Sequence, residues 1–451
     1  MRFIKYMNIV PVAEGYYFLV NGLTGAIDTI DEAGYQICHN WMGQDEINPT
    51  DEEENAYQYL LSRGYICEPG EDEDKYQELM DKLKDDLKSK SNMVNLTFLL
   101  TYDCNFRCTY CYEQPVLKKG QDWVKQRMDR KMVQSIYDYI DRNNLEINET
   151  VIYGGEPLMA ENDEALFEIL EQSKARGKEV SMATNAYRLP EYTEKLSDYP
   201  FNQIQITLDG DRELHNKYRI TAKGEGTFDE IIKGIDKASD VGLPIHIRYN
   251  VNFSKDQFNQ VLIDYLNDKG ILEKDNVMLA PAPILGAESG VDCPEHVLRQ
   301  YLDDIEDLEE IPDSMHSLLA KVHPLASVFY GDQVWNPKYI FCGANFLNRI
   351  IDPTGDVYSC QGQVGQEDQA IGKFDGETIH FNNNFDIWRD RNIEKIEKCQ
   401  DCWAAFICGA NCAMDAIANG KKLDEPDCSA TENLVDLYLP YLFKRFVEPK
   451  L

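Results

Sequence analysis

The sequence predicts an α/β protein whose middle section is a parallel β-sheet covered by helices. Short apolar, β-branched runs recur between residues 92 and 285, and longer helical stretches separate them. Alternating strand and helix signals are typical of a parallel sheet with helices packed on its faces. Six such units are too few for a closed eightfold barrel, and both a partial, open barrel and a flat doubly wound sheet fit this pattern.

The predicted elements follow from these runs in chain order. The predicted strands are Val94–Thr101, Thr150–Tyr153, Val180–Thr184, Ile204–Leu208, Ile245–Val251 and Val277–Ala280. The helices between them include Arg130–Asn143, Glu164–Lys174, Phe228–Ser239 and Asp256–Asn267, and another helical stretch runs from Pro294 to about Tyr330. Because ligands of such sheets bind at the carboxyl ends of the strands, we expect the functional residues there.

Composition shifts divide the 451 residues into predicted domains at residues 1–90, 91–310 and 311–451. Hydrophobic residues make up 43% and charged residues 27%, as in a soluble globular protein. The chain has no run of about 18 apolar residues that could span a membrane. Its start, Met1–Lys5, lacks the features of a signal peptide, so we expect a cytoplasmic protein with no membrane partner.

The chain is strongly acidic, with 79 Asp and Glu residues against 45 Lys and Arg residues and a formal net charge of −34. This charge disfavours nucleic acid as a partner, because no basic surface would offset the repulsion from phosphates. It mildly favours a basic segment in a partner peptide.

The N-terminal region predicts three paired strands followed by two helices. The strands are Met7–Val12, Tyr16–Val20 and Ala26–Ile30, with turn signals at Glu14-Gly15 and Asn21-Gly22. Helices near Glu32–Trp41 and Glu52–Ser62, a short strand Tyr65–Cys67 and a solvated linker helix from Glu71 to Lys90 follow. This order resembles the winged-helix-like domain with which peptide-modifying enzymes recognise a precursor peptide, binding its leader as an added strand. A plain packing domain is the alternative.

Three cysteines, Cys104, Cys108 and Cys111, follow the first predicted strand of the sheet in the sequence C-N-F-R-C-T-Y-C. Three thiolates can hold three irons of a cubane and leave the fourth iron open, whereas structural cubanes take four. The spacing, with Tyr110 before the last cysteine, resembles the radical SAM enzymes, whose open iron binds S-adenosylmethionine (SAM). Buried or zinc-binding cysteines are the alternative, although zinc sites favour paired cysteines.

Three further segments, at the ends of later strands, extend this resemblance. Gly-Gly-Glu-Pro after the second strand could be an ordinary turn, but in this position it resembles the radical SAM element for the methionine amine. Thr-Asn-Ala ends the third strand, with Ala186 where the family often has glycine. Thr-Leu-Asp-Gly, followed by His215 and Arg219, resembles a third family segment. The resemblance implies cofactor contacts from Gly154, Gly155, Glu156, Asn185, Thr207 and Arg219. A structural hydrogen bond for His215 and a surface ion pair for Arg219 are the alternatives.

Seven of the thirteen cysteines lie in the C-terminal part of the chain. Without a secretory signal, so many cysteines indicate metal binding or catalysis rather than disulfides. Their spacing resembles the SPASM domain, which holds two auxiliary iron–sulfur clusters. The resemblance implies an outer cluster held by Cys399, Cys402, Cys408 and Cys428, and an inner cluster held by Cys342, Cys360 and Cys412. Two zinc ions are the alternative.

The inner set therefore has only three cysteines, which predicts an open iron or a non-cysteine ligand. Cys293, in a turn before a predicted helix, is an alternative fourth ligand. An open iron could bind a substrate thiolate, as thioether formation requires. Sulfatase-activating relatives have an acidic residue directly after the cysteine that corresponds to Cys360, and here that residue is Gln361. This difference weakens a formylglycine-forming function.

The whole pattern resembles a radical SAM/SPASM maturase of the sactipeptide and ranthipeptide type. The resemblance implies SAM and three [4Fe-4S] clusters as cofactors. It implies a leader-bearing precursor peptide and a flavodoxin- or ferredoxin-like electron donor as partners. The expected reaction is a thioether bond from a cysteine sulfur to a peptide carbon. Carbon–carbon crosslinking, another radical oxidation of a peptide, or a non-catalytic metal-binding scaffold are the alternatives.

Overall fold

The computed structural model describes residues 1–111, 113–251, 260–283 and 335–451. These residues divide into two compact units. The terminal unit consists of residues 1–91, 335–342 and 390–451, and the sheet unit contains the described residues between 92 and 283 and residues 343–389. Cys293 and the predicted helix from Pro294 to Tyr330 lie outside the described residues. Within the described ranges, no helix is long and apolar enough to cross a membrane.

The N-terminal part of the terminal unit begins with a small sheet and continues with helices. Its elements are β1 (Arg2–Phe3), β2 (Met7–Ala13), β3 (Tyr16–Asn21), β4 (Ile27–Asp31), α1 (Glu32–Trp41), α2 (Glu54–Ser62), β5 (Ile66–Cys67) and α3 (Glu71–Ser89). Strands β2, β3 and β4 form an antiparallel meander, and β1 pairs with β5. Asp31 caps α1 by accepting a 2.9 Å hydrogen bond from the Gly34 amide. The three predicted strands and two predicted helices are confirmed; the winged-helix likeness stays a prediction.

The terminal unit has a core that joins the two ends of the chain. Phe18 of β3 packs edge-on against Phe443 of the C-terminal helix Leu439–Phe446, with ring centroids 5.8 Å apart. Tyr6 and Met80 share a second buried cluster with Phe406, which lies among the C-terminal cysteines. Residues 1–90 also have a buried core cluster of their own, which includes Leu19, Trp41 and Tyr65. Residues 390–451 cover further apolar side chains of this segment, and the predicted domain boundaries stay a prediction.

The sheet unit is built on one ten-stranded sheet in the described residues, in the order β11-β10-β9-β8-β7-β6-β12-β13-β14-β15. Strands β6 to β11 pair in parallel, which confirms the predicted α/β class and all six predicted strands. The ten strands are β6 (Met93–Leu99), β7 (Glu146–Tyr153), β8 (Val180–Thr184), β9 (Phe201–Leu208), β10 (Ile245–Val251), β11 (Val277–Pro283), β12 (Asn348–Ile351), β13 (Asp356–Tyr358), β14 (Gly372–Phe374) and β15 (Ile379–Phe381).

Helices alternate with the parallel strands. They are α4 (Gln114–Leu117), α5 (Gln121–Val124), α6 (Arg130–Arg142), α7 (Asp163–Ala175), α8 (Leu189–Leu196), α9 (Arg212–Tyr218), α10 (Phe228–Asp240) and α11 (Gln260–Asp268). In α6, Val133, Ile136, Tyr137 and Ile140 are buried at positions i, i+3, i+4 and i+7, which is the apolar stripe of a helix that packs on a sheet.

The sheet is longer than the predicted six strands because β12 adds to its β6 edge in parallel. Asn348 pairs with Asn95 in this register, and the Asn95 side-chain amide donates a 3.0 Å hydrogen bond to the side-chain oxygen of Asn348. Strands β13, β14 and β15 then continue antiparallel. Residues 343–389, which the sequence assigned to a C-terminal domain, thus belong to the sheet unit.

The chain ends in short helices that separate the C-terminal cysteines. They are α12 (Asn383–Asp390), α13 (Glu397–Gln400), α14 (Ala405–Cys408), α15 (Ala413–Ala418), α16 (Ser429–Asn433) and α17 (Leu439–Phe446), with a π-helical turn at Leu434–Tyr438. Most of these helices span only one or two turns, so side-chain packing and loop hydrogen bonds hold this region.

Candidate active site

The three-cysteine loop leaves the carboxyl end of β6, where the parallel strands of such sheets bind their ligands. Its backbone amides at Arg107 and Thr109 donate to the carbonyl oxygens of Ile220 and Tyr218 at 2.8 and 3.0 Å. This pairing holds the loop against the segment after α9. Burial raises the pKa of each of the three cysteine thiols, to about 12 for Cys111.

A glycine turn after β7 packs directly on this loop. The Glu156 amide donates to the Asp103 carbonyl oxygen at 2.9 Å. A Cβ on Gly155 would lie 2.0 Å from the same oxygen, and the Gly155 φ angle of +48° already disfavours any side chain. Gly154 is equally confined, because its Cβ would lie 2.3 Å from Leu99. The turn therefore needs glycine so that the two backbones can approach.

The Glu156 carboxylate, which is 1% exposed, bridges the ends of β7 and β8. It accepts hydrogen bonds from the Thr184 hydroxyl at 2.5 Å, the Asn185 amide at 2.7 Å and the Leu158 amide at 2.9 Å. Burial raises the pKa of Glu156, and these donors oppose the rise. A carboxylate has about four acceptor positions. Glu156 is thus a structural bridge, with about one of its acceptor positions not used by these three donors.

Asn185 connects the end of β8 to the first cysteine. Its side-chain amide lies 3.7 Å from the Cys104 sulfur and donates to the side-chain oxygen of Asn105 at 2.7 Å. The next residue, Ala186, is fully buried and has a φ angle of +61°, a left-handed conformation that glycine adopts more easily. Alanine at this glycine-like position therefore keeps the turn at some cost in backbone strain.

A buried polar network joins the loop to the ends of β9 and β10. The Tyr110 hydroxyl donates to the Asp209 carboxylate at 2.5 Å. The Asn250 amide donates to Asp209 at 2.9 Å and to the Tyr110 oxygen at 3.1 Å. Burial raises the pKa of Asp209, while the Arg219 charge lowers it. The aromatic residue in the cysteine motif is thereby fixed by hydrogen bonds from three separate segments.

Arg219 is the buried cation of this network and is only 8% exposed. Its Nη1 donates to the Tyr110 oxygen at 3.1 Å, and its Nε has no hydrogen-bond partner among the described residues. Burial lowers the pKa of Arg219, but the neighbouring Tyr110, Cys108 and Asp209 outweigh this effect and favour the charged form. The surface ion pair considered as an alternative for Arg219 is therefore wrong, because the side chain is buried.

His215 has a structural role rather than a ligand-binding one. Its Nδ1 accepts from the Asp209 amide at 3.3 Å, and its Nε2 lies 3.1 Å from the Thr227 hydroxyl. That hydroxyl donates to the Arg219 carbonyl oxygen at 2.6 Å, so Nε2 carries the proton and donates to Thr227. Burial lowers the pKa of His215 well below its ordinary value, and the Arg219 charge adds to this effect.

Thr207, a predicted cofactor contact, takes no part in the hydrogen bonds described above. It is a half-buried residue of β9 paired with Arg248 of β10, on the strand face it shares with Gln205.

Glu113, two residues after the last cysteine of the loop, was not assigned a role from sequence. It is 7% exposed; one carboxylate oxygen accepts from the Gly155 amide at 3.1 Å, and the other lacks a partner within the described ranges. Burial raises the pKa of Glu113 to about 7.

The four predicted outer ligands lie close together in the terminal unit. Burial raises the pKa of Cys399 to about 12, and the neighbouring Cys408, Cys402 and Cys428 add to this rise. Burial also raises the pKa of Cys412, and Asp415 and Cys342, the latter its predicted partner in the inner set, add to this rise. The third inner residue, Cys360, belongs to the sheet unit, where its carbonyl oxygen accepts from the Gln363 amide at 3.1 Å. Both cluster assignments stay predictions.

These residues fit an iron–sulfur cluster better than a single ion. In the part of the chain that the structure describes, no three His, Cys, Asp or Glu side chains converge on one metal position. A cubane does not require such convergence, because each thiolate binds a different iron. Among the described residues, Arg219 Nε and one Glu113 carboxylate oxygen have no hydrogen-bond partner. A bound ligand with both an anionic and a cationic group, as in the methionine part of SAM, would complement them.

Comparison with known proteins agrees with this geometry. A sequence model of the Radical SAM superfamily matches residues 98–256. The chain is 24% identical over 369 residues to the mycofactocin maturase MftC of Mycolicibacterium smegmatis, covering 79% of this chain and 86% of the relative. It is 26% identical over 273 residues to a Saccharolobus islandicus protein named Probable GTP 3′,8-cyclase, covering 59% and 77%.

Among solved structures, anSMEcpe with bound AdoMet is similar to this chain, with a TM-score of 0.56 and 16% sequence identity. The similarity covers 78% of this chain and 94% of that one. At this level of identity, the similarity concerns the fold alone.

Proposed function

We propose that this chain, whose residues 98–256 match the Radical SAM superfamily model, is a radical SAM enzyme that modifies a ribosomally synthesised precursor peptide by joining a cysteine sulfur to a peptide carbon. The observation that carries the proposal is the contact between the three-cysteine loop and the glycine turn. Both lie at the carboxyl ends of adjacent parallel strands, and Gly155 leaves no space between them. A relative of this chain, the mycofactocin maturase, bears a name that supports a maturation role.

In this proposal Cys104, Cys108 and Cys111 hold a [4Fe-4S] cluster, and SAM binds beside it. When bound, the cluster and SAM supply a one-electron cleavage that gives a 5′-deoxyadenosyl radical. Arg219 Nε would bind the methionine carboxylate, and the Glu156 and Glu113 carboxylates would accept from the methionine ammonium. Asn185 positions the loop that carries the thiolates by its hydrogen bond to Asn105 of that loop. Tyr110, also in the loop, is held by the hydrogen bond from Arg219.

The C-terminal cysteines would hold two further clusters. Cys399, Cys402, Cys408 and Cys428 supply a full set of four thiolates, and the field that the other three exert on Cys399 supports this grouping. Cys342, Cys360 and Cys412 supply only three, so the inner cluster would keep one position for the substrate cysteine. A SPASM arrangement of this kind explains why so many cysteines are found in one chain.

The N-terminal residues would bind the leader of the precursor peptide. Strand β4 pairs only with β3 in the described sheet, so its other edge can accept an added strand. The net charge of −34 favours a leader with basic residues. A flavodoxin- or ferredoxin-like protein would supply the electrons.

A nucleotide substrate, such as the name of the cyclase relative suggests, fits this chain less well. A triphosphate needs a cationic site, and the chain has 34 more acidic than basic residues. Formylglycine formation is also disfavoured, because Gln361 is an exposed amide that cannot act as a base. Carbon–carbon crosslinking of a peptide is the second candidate, since it needs the same radical site but no substrate thiol.

The test combines metal content with product analysis of the anaerobically reconstituted chain. Three cubanes would give about twelve irons per chain, and about eight after Cys104, Cys108 and Cys111 are changed to alanine. With SAM, reductant and a cysteine-containing precursor peptide, we expect 5′-deoxyadenosine and a peptide two mass units lighter. The alanine variant should give neither product.

Two controls make the result specific. Changing Cys38 and Cys67, which are buried core residues, to alanine should leave the iron content unchanged. Changing the substrate cysteines to serine should abolish the thioether product. A crosslink that survives this change would support the carbon–carbon alternative, and a chain that forms no 5′-deoxyadenosine would refute the enzyme proposal.

A further inference from the structure

A buried arginine lies among the C-terminal cysteines of the terminal unit. Arg391 is 1% exposed, and its guanidinium donates four hydrogen bonds to backbone carbonyl oxygens. These bonds reach Ala410 at 2.9 Å, Asn411 at 2.7 Å, Leu423 at 2.9 Å and Glu425 at 3.3 Å. The first two carbonyls lie between Cys408 and Cys412, and the other two precede Cys428. One side chain therefore ties together two cysteine-bearing loops.

The loop between Cys408 and Cys412 needs this support because its backbone is unusual. Gly409, Ala410 and Asn411 have φ angles of +64°, +71° and +56°. The left-handed conformation costs a residue such as alanine about 1–2 kcal/mol. Arg391 donates hydrogen bonds to the carbonyl oxygens of Ala410 and Asn411, the two consecutive residues with this strained backbone. The guanidinium fork therefore stabilises the turn that presents both thiols.

Arg391 also places a positive charge beside several cysteines. Burial lowers the pKa of Arg391, and the neighbouring Cys412, Cys408, Cys342 and Cys399 raise it. These four include predicted ligands of both the outer and the inner cluster. A guanidinium stays protonated in proteins, so this charge is permanent. Other charged groups also lie near these cysteines. The Asp415 charge acts on Cys412, and Lys338 interacts electrostatically with Cys408 and Cys342.

A second donor in the same loop points to an acceptor that the protein does not provide. The Asn411 side chain is 5% exposed, and its Nδ2 has no partner among the residues that the structure describes. A buried amide without an acceptor costs about 1–3 kcal/mol. Asn411 directly precedes Cys412, where cluster sulfur would be an available acceptor. Hydrogen bonds to sulfur and local charge are two of the factors that set the reduction potential of a cluster.

We infer that Arg391 is a positioning residue for the C-terminal iron–sulfur site, which fixes the Cys408–Cys412 turn and raises the reduction potential of the clusters by its charge. A nearby cation stabilises the reduced, more negative cluster. A higher potential would let the clusters accept the electron left after carbon–sulfur bond formation. The inference rests on the proposed function only in taking these cysteines as iron–sulfur ligands.

The test is a redox titration, followed by electron paramagnetic resonance, of the full reconstituted chain. Cys104, Cys108 and Cys111 are alanine in all samples, so that only the C-terminal clusters are observed. In this background, Arg391→Gln should lower the reduced-to-oxidised ratio of at least one cluster about tenfold at fixed potential, a shift of about 59 mV for one electron. Asp415→Asn should shift the ratio in the opposite direction.

Two further variants separate charge from loop structure. Arg391→Lys keeps the charge but loses the fork, so we expect the wild-type potential and faster iron loss to a chelator. Lys444→Gln removes an equal charge from an exposed position and should change neither the reduction potential nor the rate of iron loss. The inference fails if Arg391→Gln keeps the wild-type potential, or if Arg391→Lys shifts it as much as glutamine does. If Arg391→Gln does not hold iron, an unchanged potential in Asp415→Asn refutes the charge effect.

The outcomes also separate this inference from the proposed function. Zinc instead of iron at the C-terminal cysteines of the wild-type chain would overturn the inference. Wild-type protein that forms no 5′-deoxyadenosine would overturn the proposed function, while the potentials of the C-terminal clusters could still be measured.

Discussion

At the scale of the residue, Gly155 has no space for a side chain. A Cβ there would lie 2.0 Å from the Asp103 carbonyl oxygen at a φ angle of +48°. We expect Gly155→Ala to lower the free energy of unfolding by about 3 kcal/mol or more, through strain and a displaced cysteine loop. Urea denaturation of the metal-free chain would measure it.

Gly177→Ala is the matched control for this change. Gly177 also has a positive φ angle, +64°, but its Cβ would meet no atom within 4 Å. The Gly177→Ala change should lower the free energy of unfolding only by the strain of an alanine in the left-handed conformation, about 1 kcal/mol. Equal losses at the two glycines would contradict a close contact between the glycine turn and the cysteine loop.

His215 makes the stability of the chain depend on pH. Its folded-state pKa is lowered, so the unfolded chain takes up a proton first as the pH falls through about 6.5. The contribution of His215 to the free energy of unfolding is fully present above that pH. It is lost below that pH by up to about 1.4 kcal/mol per pH unit. We expect the free energy of unfolding to fall between pH 6.5 and 5, and His215→Gln to reduce this slope.

Exposed His39 provides the control for the pH experiment, since His39→Gln should leave the slope unchanged. A slope that is the same in wild type and His215→Gln would mean that burial and the Arg219 charge do not keep the ring neutral. Unfolding curves at several pH values would show this directly.

Most residues of the candidate site could be predicted from the sequence, but not their individual roles. Cysteine spacing and the Gly-Gly-Glu motif identified their segments because each motif is local and contiguous. Glu113 and Asn250 carry no local signal of that kind, because their importance depends on burial and on partners in other segments. Glu156 was expected to face a ligand, but tertiary contacts use three of its acceptor positions.

At the scale of the element, β12 is an integral strand of the sheet. It pairs in parallel with β6 and antiparallel with β13, so its amides lie between two strands. We expect residues 348–351 to exchange amide hydrogens about as slowly as residues 93–99 in hydrogen–deuterium exchange. Fast exchange of β12 beside a protected β6 would mean that the sheet ends at β6.

The sequence predicted apolar strand segments well and polar ones poorly. The predicted bounds of β8 and β10 match the structure to the residue, whereas only the apolar second half of β7 was predicted, because its first half is mostly polar. Strand β12 has only four residues, Asn348–Ile351, two of them polar. Such a run cannot be told from a loop without knowing that the β6 edge is available to pair with it.

At the scale of the whole molecule, the excess of acidic residues opposes folding. A formal charge of −34 produces repulsion that the unfolded chain reduces by expanding. Raising sodium chloride from about 10 to about 100 mM shortens the screening length from about 30 to about 10 Å. We expect the melting temperature to rise over this range. Choline chloride should raise the melting temperature equally. A lower melting temperature with either salt would mean that surface ion pairs dominate instead.

The division into two units also has a whole-molecule cause that sequence boundaries could not reveal. Domain predictions follow composition along the chain, whereas part of the core of the terminal unit is formed by residues far apart in sequence. Phe18 and Phe443 are one such pair. Contacts of this range have no local signature, so the first and last segments were predicted as separate domains.

The left-handed backbone at Ala186 has a consequence for how this protein can evolve. An alanine codon becomes a glycine codon by one base change, and glycine would remove backbone strain of about 1–2 kcal/mol at this buried turn. Because proteins tolerate new mutations in proportion to the stability they hold above a threshold, a lineage with glycine here could accept changes elsewhere that this chain cannot. One small residue thus affects which substrate specificities its descendants can reach.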